Sequence, residues 1–467
     1  MADTSTLARN DYEDCISLLP DCLIHHIFSF LPTREVIKTC ILSKRWRSVW
    51  TTISDLRFDS FNDYSFVDRV LTHYMWPKVK RFHLDIRSKQ EFCHSTIDLW
   101  VHFAIDHQVE DLLLIVNIYW EHYTLSPLLY NCSSLTKLCL RGCCFSSSES
   151  IHWSSLKSLS IQTVSDDVLR KILMGSPVRE YLNLISCQGV KKIHSRSLRE
   201  LVIDALIVES PMEIWTPRLL SLHVRGDHFH EMLRIIEAPS LVNAELDFDG
   251  PVKSDYFLLK QMLSKLQNTT QILLGAWCLR VMWPLKVEDV QVSLPNCKSL
   301  TLHIPFYQFS FPAIAYILAT TPNLEKLVII FEPSDWGDLW CESDLNSHNV
   351  DHESNWNIKK KFKSWARHIK NVEVFGFYAC LRIKYEEVLL LVKFMLGHAS
   401  ILENMVIKVK SKREVVDSHR LLEVARRLQS LHSASKHAAV ILNYLEEGLE
   451  KQWNITTKCL CIGPENT

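Results

Sequence analysis

The chain has 467 residues with 52 Lys and Arg against 53 Asp and Glu, and 47% of its residues are hydrophobic, as in ordinary soluble globular proteins. The length suffices for about three domains or one long repeat array. The formal net charge of −1 argues against a duplex nucleic-acid binder, which usually carries a basic excess. The eleven glycines are widely spaced, which excludes glycine-rich phosphate-binding loops and the nucleophile elbow of serine hydrolases.

Cysteine usage and hydropathy narrow the class of protein further. Fifteen cysteines without any Cys-x-x-Cys pair exclude the common zinc-binding frameworks, and no His-Glu-x-x-His motif occurs. The polar N-terminus differs from a signal peptide, and the longest apolar runs are far shorter than the ~20 residues of a membrane-spanning helix. We therefore expect a protein of the cytoplasm or nucleus with reduced thiols, no cofactor or metal, and no membrane or nucleic-acid partner.

The first predicted element is a unit of three short helices at residues 14–52, which follows a disordered tail at residues 1–13. Asp21, Thr33 and Ser43 are the candidate N-caps of the three helices. About 40 residues seldom close a hydrophobic core alone, so part of this apolar surface should pack against a partner or the rest of the chain. Periodicity leaves one alternative open, a helical cap for a repeat array.

The same unit contains a set of short elements at fixed spacing, namely Leu19-Pro20, Leu23/Ile24/Ile27, Phe30-Leu31-Pro32 and Leu42-Ser43-Lys44-Arg45-Trp46. Together they resemble the F-box found in large plant protein families. The resemblance implies that the helices bind a Skp adaptor, which tethers the chain to cullin and RING subunits. The adaptor contacts that it implies are Leu19, Pro20, Leu23, Ile24, Ile27, Leu31 and Pro32. Leu42 and Trp46 would instead hold the helices together.

Residues 53–331 carry a degenerate L-x-x-L-x-L pattern, which begins as Ile53-x-x-Leu56-x-Phe58. The spacing between successive anchors is mostly in the range of leucine-rich repeats. Each copy predicts a short strand whose leucines point into the core, and stacked copies bury one another. One weaker copy has Arg179 in the anchor position, and the less regular region 247–296 predicts at least one hidden or broken repeat.

The residues that alternate with the core leucines are predicted to face outward and to form a binding surface. The candidates for contacts with a substrate protein are Lys137, Arg141, Tyr181, Glu200, Asp204, His223, Arg225, Glu245 and Asp247. The sign of the charge changes along this row, which suits a protein surface better than a phosphate backbone. Ordinary solvated polar side chains are the alternative for each single residue.

The C-terminal third begins with a predicted acidic loop at residues 332–357, which holds seven acidic residues and no Lys or Arg. A basic run follows at residues 359–370, and we interpret it as a solvated face that offsets the loop rather than a nucleic-acid patch. The L-x-x-L-x-L pattern then returns at residues 369–374 and 402–407, with an apolar helix between the two copies.

Several elements of this region, FGF at 375–377, Glu386/Glu387, LVKFML at 391–396, Ala399 and LENMVI at 402–407, resemble the FBD domain of plant F-box proteins. The resemblance implies that residues 358–447 form an FBD-like module that continues the repeat sheet. Residues 421–431 are predicted to be helical, residues 438–442 to form a final strand, and residues 448–467 to be a tail.

The expected fold is therefore α/β: a three-helix F-box, a leucine-rich-repeat solenoid with a curved parallel sheet and outer helices, and an FBD-like α+β cap. The function that the resemblance implies is a non-catalytic substrate receptor of an SCF-type (Skp–cullin–F-box) ubiquitin ligase, which captures a target protein on the repeats. A repeat scaffold without a ligase role and a ligand-dependent, hormone-type receptor are the alternatives. An enzyme is disfavoured because the histidines and cysteines lack a triad-like or metal-like spacing, although triads can be dispersed in sequence.

Overall fold

The structure is a computed structural model, and it describes the following residues: 18–59, 64–88, 93–118, 122–146, 149–204, 211–227, 233–249, 256–282, 292–305, 311–332, 366–376, 385–409, 425–435, 437–446, 449–455 and 458–459. The chain divides into two compact units, residues 1–187 and residues 188–467. Each unit is described by itself.

The first unit begins with the helices α1 (Asp21–Phe28), α2 (Thr33–Lys38) and α3 (Trp46–Val49), with short 3₁₀ turns after α2 and α3. Their small core is fully formed, and its buried members are Ile24, Phe28, Val36, Trp46 and Val49. The rings of Phe28 and Trp46 meet edge to face with their centroids 5.3 Å apart. The sequence therefore predicted the three helices correctly.

The helix caps differ from the prediction. Prolines occupy the N-cap positions of α1 and α2, so Asp21 and Thr33 are the first helical residues instead. The Thr33 hydroxyl accepts a hydrogen bond from the backbone N–H of Arg57 at 2.7 Å, which ties α2 to the first strand. Ser43 is closer to its predicted role, since its hydroxyl accepts from the Trp46 N–H at 3.4 Å.

A parallel sheet follows in the first unit, and its helices lie between successive strands in the chain. The strands are β1 (Asp55–Phe58), β2 (Arg81–Ser88), β3 (Asp111–Ile118), β4 (Tyr123–Thr124), β5 (Lys137–Arg141), β6 (Cys143–Cys144), β7 (Ser158–Gln162) and β8 (Tyr181–Ile185), and the helices are α4 (Ser65–His73), α5 (His94–Asp106) and α6 (Asp166–Gly175). The order in the sheet is β1-β2-β3-β5-β7-β8, while β4 and β6 pair separately.

The second unit continues the repeat pattern. Its strands are β9 (Lys192–His194), β10 (Glu200–Asp204), β11 (Met212–Trp215), β12 (Ser221–Asp227), β13 (Leu233–Glu237), β14 (Asn243–Asp249), β15 (Gln271–Leu274), β16 (Ser299–Pro305), β17 (Lys326–Glu332), β18 (Asn371–Phe375), β19 (Asn404–Val409), β20 (His432–Ser433), β21 (Ala439–Glu446), β22 (Leu449–Ile455) and β23 (Lys458–Cys459). Its helices are α7 (Tyr256–Ser264), α8 (Ala276–Met282), α9 (Phe311–Thr320) and α10 (Tyr385–His398). The main sheet has the order β10-β12-β14-β15-β16-β17-β18-β19-β21-β22, and β13-β11-β9 form a small second sheet.

The register of the strands confirms the predicted repeat. In the first unit, the second apolar position of the pattern aligns Leu56 with Phe82, and the third aligns Phe58 with Leu84. In the second unit Leu300 aligns with Leu327 in the same way. These side chains are all buried, so equivalent leucines stack from strand to strand and form one continuous core in each unit.

The backbone just before each strand repeats its own pattern. The carbonyl of Lys80 accepts hydrogen bonds from the N–H groups of Glu110 and Asp111, at 3.2 and 2.9 Å. The carbonyl of Lys298 accepts from Glu325 and Lys326 in the same way, both at 2.9 Å. Each repeat therefore satisfies two backbone donors of the next one, which ties neighbouring repeats together.

The hidden repeat predicted in region 247–296 is present as β15, which pairs with β14 and with β16. Its anchor position is occupied by Thr269, a buried polar residue, instead of a leucine. The pattern search missed this copy because a threonine does not match the leucine template.

The C-terminal region agrees with the prediction in part. Strands β18, β19 and β21 continue the parallel sheet, as expected of the FBD-like module. The predicted tail is wrong for residues 449–455, because they form β22 and pair with β21 in antiparallel fashion. The acidic loop lies outside the described residues apart from Glu332, as does most of the basic run. No helix within the described ranges is both long enough and apolar enough to cross a bilayer.

Candidate binding surfaces

The first candidate surface is the exposed side of α1. Leu23 is 48% exposed and Ile27 is 41% exposed, although both are large apolar residues. Pro20 is exposed as well, and Leu19, Leu31 and Pro32 are partly exposed. Ile24 has no exposed surface, so the prediction that it contacts an adaptor is wrong. One residue further along a helix lies about 100° further round the axis, which turns Ile24 into the core while Leu23 faces outward.

Other exposed apolar residues of the helical unit were absent from the predicted contacts. Phe30 is 71% exposed, Ile41 is 88% exposed, and Leu18 is also largely exposed. Leu42 is about half exposed, which contradicts its predicted role in holding the helices together, whereas Trp46 is buried as predicted. The signal for Phe30 was in the sequence, because Leu23, Ile27 and Phe30 have the i, i+4, i+7 spacing of a helix face, although α1 itself ends at Phe28 and Phe30 lies in the turn after it.

The second candidate surface is the row of outward side chains in the first unit. Lys137 and Arg141 on β5 are exposed, and Tyr181 on β8 is half-buried, as predicted for outward positions. Lys137 Nζ lies 3.7 Å from Asp111 on β3, and His83 Nε2 lies 3.5 Å from the same carboxylate. Burial acts to raise the pKa of Asp111, but the nearby His83 and Lys137 side chains lower it below its ordinary value.

The third candidate surface is the outward row of β10, β12 and β14 in the second unit. Asp204 and Arg225 are exposed, and Glu200, His223 and Asp247 are half-buried. Glu245 is only 6% exposed, so its predicted role as a direct surface contact is wrong.

Glu245 holds two side chains of the neighbouring strand β12 in place through hydrogen bonds. One of its oxygens accepts a hydrogen bond from His223 Nδ1 at 2.8 Å, and the other accepts from Arg225 Nε. Burial acts to raise the pKa of Glu245, but these hydrogen bonds and the charge of Arg225 lower it to about 2. Glu245 is therefore ionised at neutral pH, and it fixes the orientation of His223 and of Arg225.

Asp247 forms a hydrogen bond with a residue that does not lie on an adjacent strand. Its Oδ2 lies 2.9 Å from Nδ1 of His303, which belongs to β16, two strands away from β14. Gly275, directly after the intervening strand β15, makes room for this contact. A Cβ atom at Gly275 would lie 2.3 Å from Oδ1 of Asp247, well inside van der Waals contact.

The group around Glu245 has the atom order of a hydrolase triad, because Ser221 Oγ lies 2.8 Å from His223 Nε2. The surroundings do not suit acyl transfer. The backbone N–H of Ser221 donates to the Arg199 carbonyl at 3.0 Å, so it is not available to an oxyanion. The arrangement holds polar side chains in fixed orientations on the outward face. Within the described residues, no cluster of three or more His, Cys, Asp or Glu side chains is placed to hold a metal ion.

Comparisons with known proteins agree with the fold and the first surface. A sequence profile of the F-box domain matches residues 16–58, and a profile described as "FBD-associated F-box protein At5g56370, LRR repeats" matches residues 97–244. The putative F-box/LRR-repeat protein At3g18150 of Arabidopsis thaliana is 31% identical, over 84% of this chain and 86% of its own length. The F-box/LRR-repeat protein At5g02910 of the same plant is 29% identical, over 91% of this chain and 94% of its own length.

Proposed function

The chain belongs to the F-box/LRR-repeat protein family, and from this premise we propose that it is the substrate-recognition subunit of an SCF-type ubiquitin ligase. In this role the F-box binds a Skp adaptor and, through it, the cullin and RING subunits, while the repeats hold a target protein. The single observation that carries the proposal is the apolar stripe formed by Leu23 and Ile27 on α1 and by Phe30 in the turn that follows α1.

This apolar stripe is exposed although the helices beneath it already have a closed core of their own. Large apolar side chains left in water on one helix face mark a surface that a partner covers. Burial of each such side chain contributes roughly 1.5–3 kcal/mol, so three of them supply a substantial part of a stable interface. Phe30 adds an aromatic anchor of the kind enriched at the centres of interfaces.

The mechanism of such a subunit is proximity rather than bond chemistry. A target held on the repeats and a conjugating enzyme held through the adaptor become parts of one assembly. The lysine of the target then meets the ubiquitin thioester at a high effective concentration. No catalytic residue is needed in this chain for that role.

The test is a binding measurement between the purified full chain and a Skp adaptor. We expect the wild type to bind and Ile27→Lys or Phe30→Lys to weaken binding at least about tenfold, because each puts a charge into an apolar contact. Met174→Lys on α6 is the matched control, since Met174 is also a largely exposed apolar residue and lies far along the chain from the F-box. It should bind as the wild type does.

Circular dichroism of each variant checks that the fold is intact. Binding that is absent from a folded wild type, or that is equal in Ile27→Lys and Met174→Lys, contradicts the proposal. The chain would then be a repeat scaffold in which the N-terminal helices act only as a cap.

A further inference from the structure

The outward face of the second unit is divided by charge. Its acidic part, on β10, β12 and β14, consists of the outward side chains Glu200, Asp204, Glu245 and Asp247. Among the described outward side chains of these three strands, Arg225 is the one that is positively charged regardless of pH. Arg225 offsets one of the four carboxylates, which leaves an excess of negative charge when His223 is neutral.

The exposed carboxylates of the acidic part are the ones that remain available to a partner. Glu245 is buried and accepts hydrogen bonds from His223 and Arg225. Asp204 is exposed. Among the described residues, its electrostatic effect is to raise the pKa of the Arg225 guanidinium, and this contribution is smaller than that of the hydrogen bond between Arg225 and Glu245. Because Glu245 fixes Arg225, the adjacent carboxylates lie beside an ordered group rather than a mobile one.

The apolar part of the same face lies on β17, β18 and β19. Its outward side chains include Ile330, Phe375 and Val406, which are all partly exposed. Lys408 Nζ lies 4.8 Å from the centre of the Phe375 ring, a cation–π contact. Polar side chains flank these apolar residues, among them Lys326 and Glu373, which form an ion pair at 2.7 Å and offset each other's charge.

The distance between the two parts sets the length of a ligand. From Asp204 on β10 to Ile330 on β17 there are five strand-to-strand steps. At about 4.8 Å per step this is about 24 Å, which an extended chain covers in about seven residues at roughly 3.3 Å each.

We propose that this face binds an extended protein segment that crosses the strands, with Lys or Arg side chains over the acidic part and apolar side chains about seven residues away over the apolar part. The interpretation of this binding as target capture rests on the proposed function, whereas the binding chemistry itself does not. An acidic segment or a nucleic-acid backbone would meet like charge at Asp204 and Glu200, which disfavours both.

The probe is a set of fluorescein-labelled peptides on a Ser/Gly background, each with an Arg-Arg pair and a Leu-Leu pair at a variable separation. A second set has Glu-Glu in place of Arg-Arg. Fluorescence polarisation with the full chain should give the highest affinity for Arg peptides at a separation of about seven residues. This binding should weaken as salt is raised, since charge contributes to it.

Asp204→Lys is the test variant, and we expect it to reduce the affinity for the best Arg peptide by about tenfold or more. Glu403→Lys is the matched control, because Glu403 is an exposed carboxylate of the same unit that precedes β19 rather than lying on the outward face. It makes the same change in charge and should leave the affinity within about twofold of the wild type.

Preference for the Glu peptides, no preference between the two sets, no binding of any Arg peptide, or equal effects of Asp204→Lys and Glu403→Lys would each overturn the proposal. The adaptor measurement separates this outcome from a failure of the proposed function. Arg-peptide selection by a chain that does not bind the adaptor leaves the inference standing and removes the ligase role. Adaptor binding without peptide selection does the reverse.

Discussion

At the scale of single residues, the most unusual feature of the core is a buried arginine. Arg179 occupies the anchor position of its repeat, where leucines such as Leu156 stand in the neighbouring copies, and it has no exposed surface. Nη1 donates to Ser176 Oγ at 2.5 Å and lies 3.4 Å from the Ile172 carbonyl oxygen, while Nε and Nη2 have no hydrogen-bond partner. Burial lowers the pKa of Arg179 to about 10.

Replacement of this arginine by an uncharged side chain of similar length should stabilise the protein. Because the folded-state pKa of Arg179 is below its ordinary value, the charge destabilises the fold at every pH below about 10, by an amount on the order of 3 kcal/mol. We expect Arg179→Met to raise the free energy of unfolding by about 1–3 kcal/mol at pH 7, as measured by urea denaturation. The gain should stay nearly constant up to about pH 10 and shrink only above it, where Arg179 loses its proton in the folded chain before it does so in the unfolded chain.

The control for this prediction is Arg170→Met on the exposed side of α6, where the arginine pairs with Asp166 at 2.8 Å. An exposed i, i+4 ion pair contributes only about 0.3–0.5 kcal/mol to stability. Arg170→Met should therefore leave the free energy of unfolding nearly unchanged or lower it by about that amount. A stability of Arg179→Met equal to or below that of the wild type would show that the buried guanidinium is compensated within the fold.

At the scale of elements, alanine substitutions at two glycines distinguish the effect of a steric clash from the effect of backbone flexibility. Gly275→Ala would place Cβ 2.8 Å from the Asp247 Cα, so β14 and the residue after β15 must move apart. We expect a loss of about 1–3 kcal/mol in the free energy of unfolding and weaker contact between Asp247 and His303. Thermal and urea denaturation measure the first effect, and the NMR shifts of the His303 ring measure the second.

Gly397 is the matched control because it lies in α10, and a Cβ atom there would meet nothing within 4 Å. Gly397→Ala should leave stability unchanged or raise it by about 0.5–1 kcal/mol, since alanine favours the helix. Equal effects of the two substitutions would mean that the close approach of Gly275 to Asp247 is not what fixes this part of the sheet.

The elements were predictable wherever the pattern of one segment determined its structure. The spacing of the leucines was enough for the strands, because each strand buries alternate residues. The helix face was predicted less precisely: Ile24 and Leu23 are adjacent in sequence, and only the packing of α1 against α3 decides which of them is buried. Thr269 shows the same limit: its hydroxyl is buried at the anchor position and has no hydrogen-bond partner among the described residues, so no local sequence rule would have placed a threonine there.

At the scale of the whole molecule, the outward rows were predicted as positions but not as interactions. The alternation of residues along β14 predicts that the Glu245 side chain points away from the leucine core, and the structure confirms this orientation. Its burial depends on His223 and Arg225, two residues of the neighbouring strand, and so on a register that the sequence does not state. The same holds for Asp247, whose partner His303 is 56 residues away. Long-range pairs of this kind decide which outward residues are free to bind a partner.

The F-box helices also have a structural role at the end of the first unit, because β1 is the edge strand of its sheet and α2 packs against it. The bond between Thr33 and the Arg57 N–H satisfies a donor on that edge. We therefore expect a chain that lacks residues 1–52 to expose the edge of β1 and to self-associate. Size-exclusion chromatography with light scattering should show oligomers or aggregates instead of a monomer.

Ile27→Lys distinguishes this capping role from adaptor binding, because it alters the exposed side of α1 and leaves the contact of α2 with β1 intact. It should remain monomeric and keep its melting temperature within about 2 °C of the wild type while it loses adaptor binding. A truncated chain that stays monomeric and equally stable would show that the repeats end at β1 without help from the helices. The F-box would then serve docking alone, whereas aggregation of the truncated chain together with a folded Ile27→Lys variant assigns both roles to the same helices.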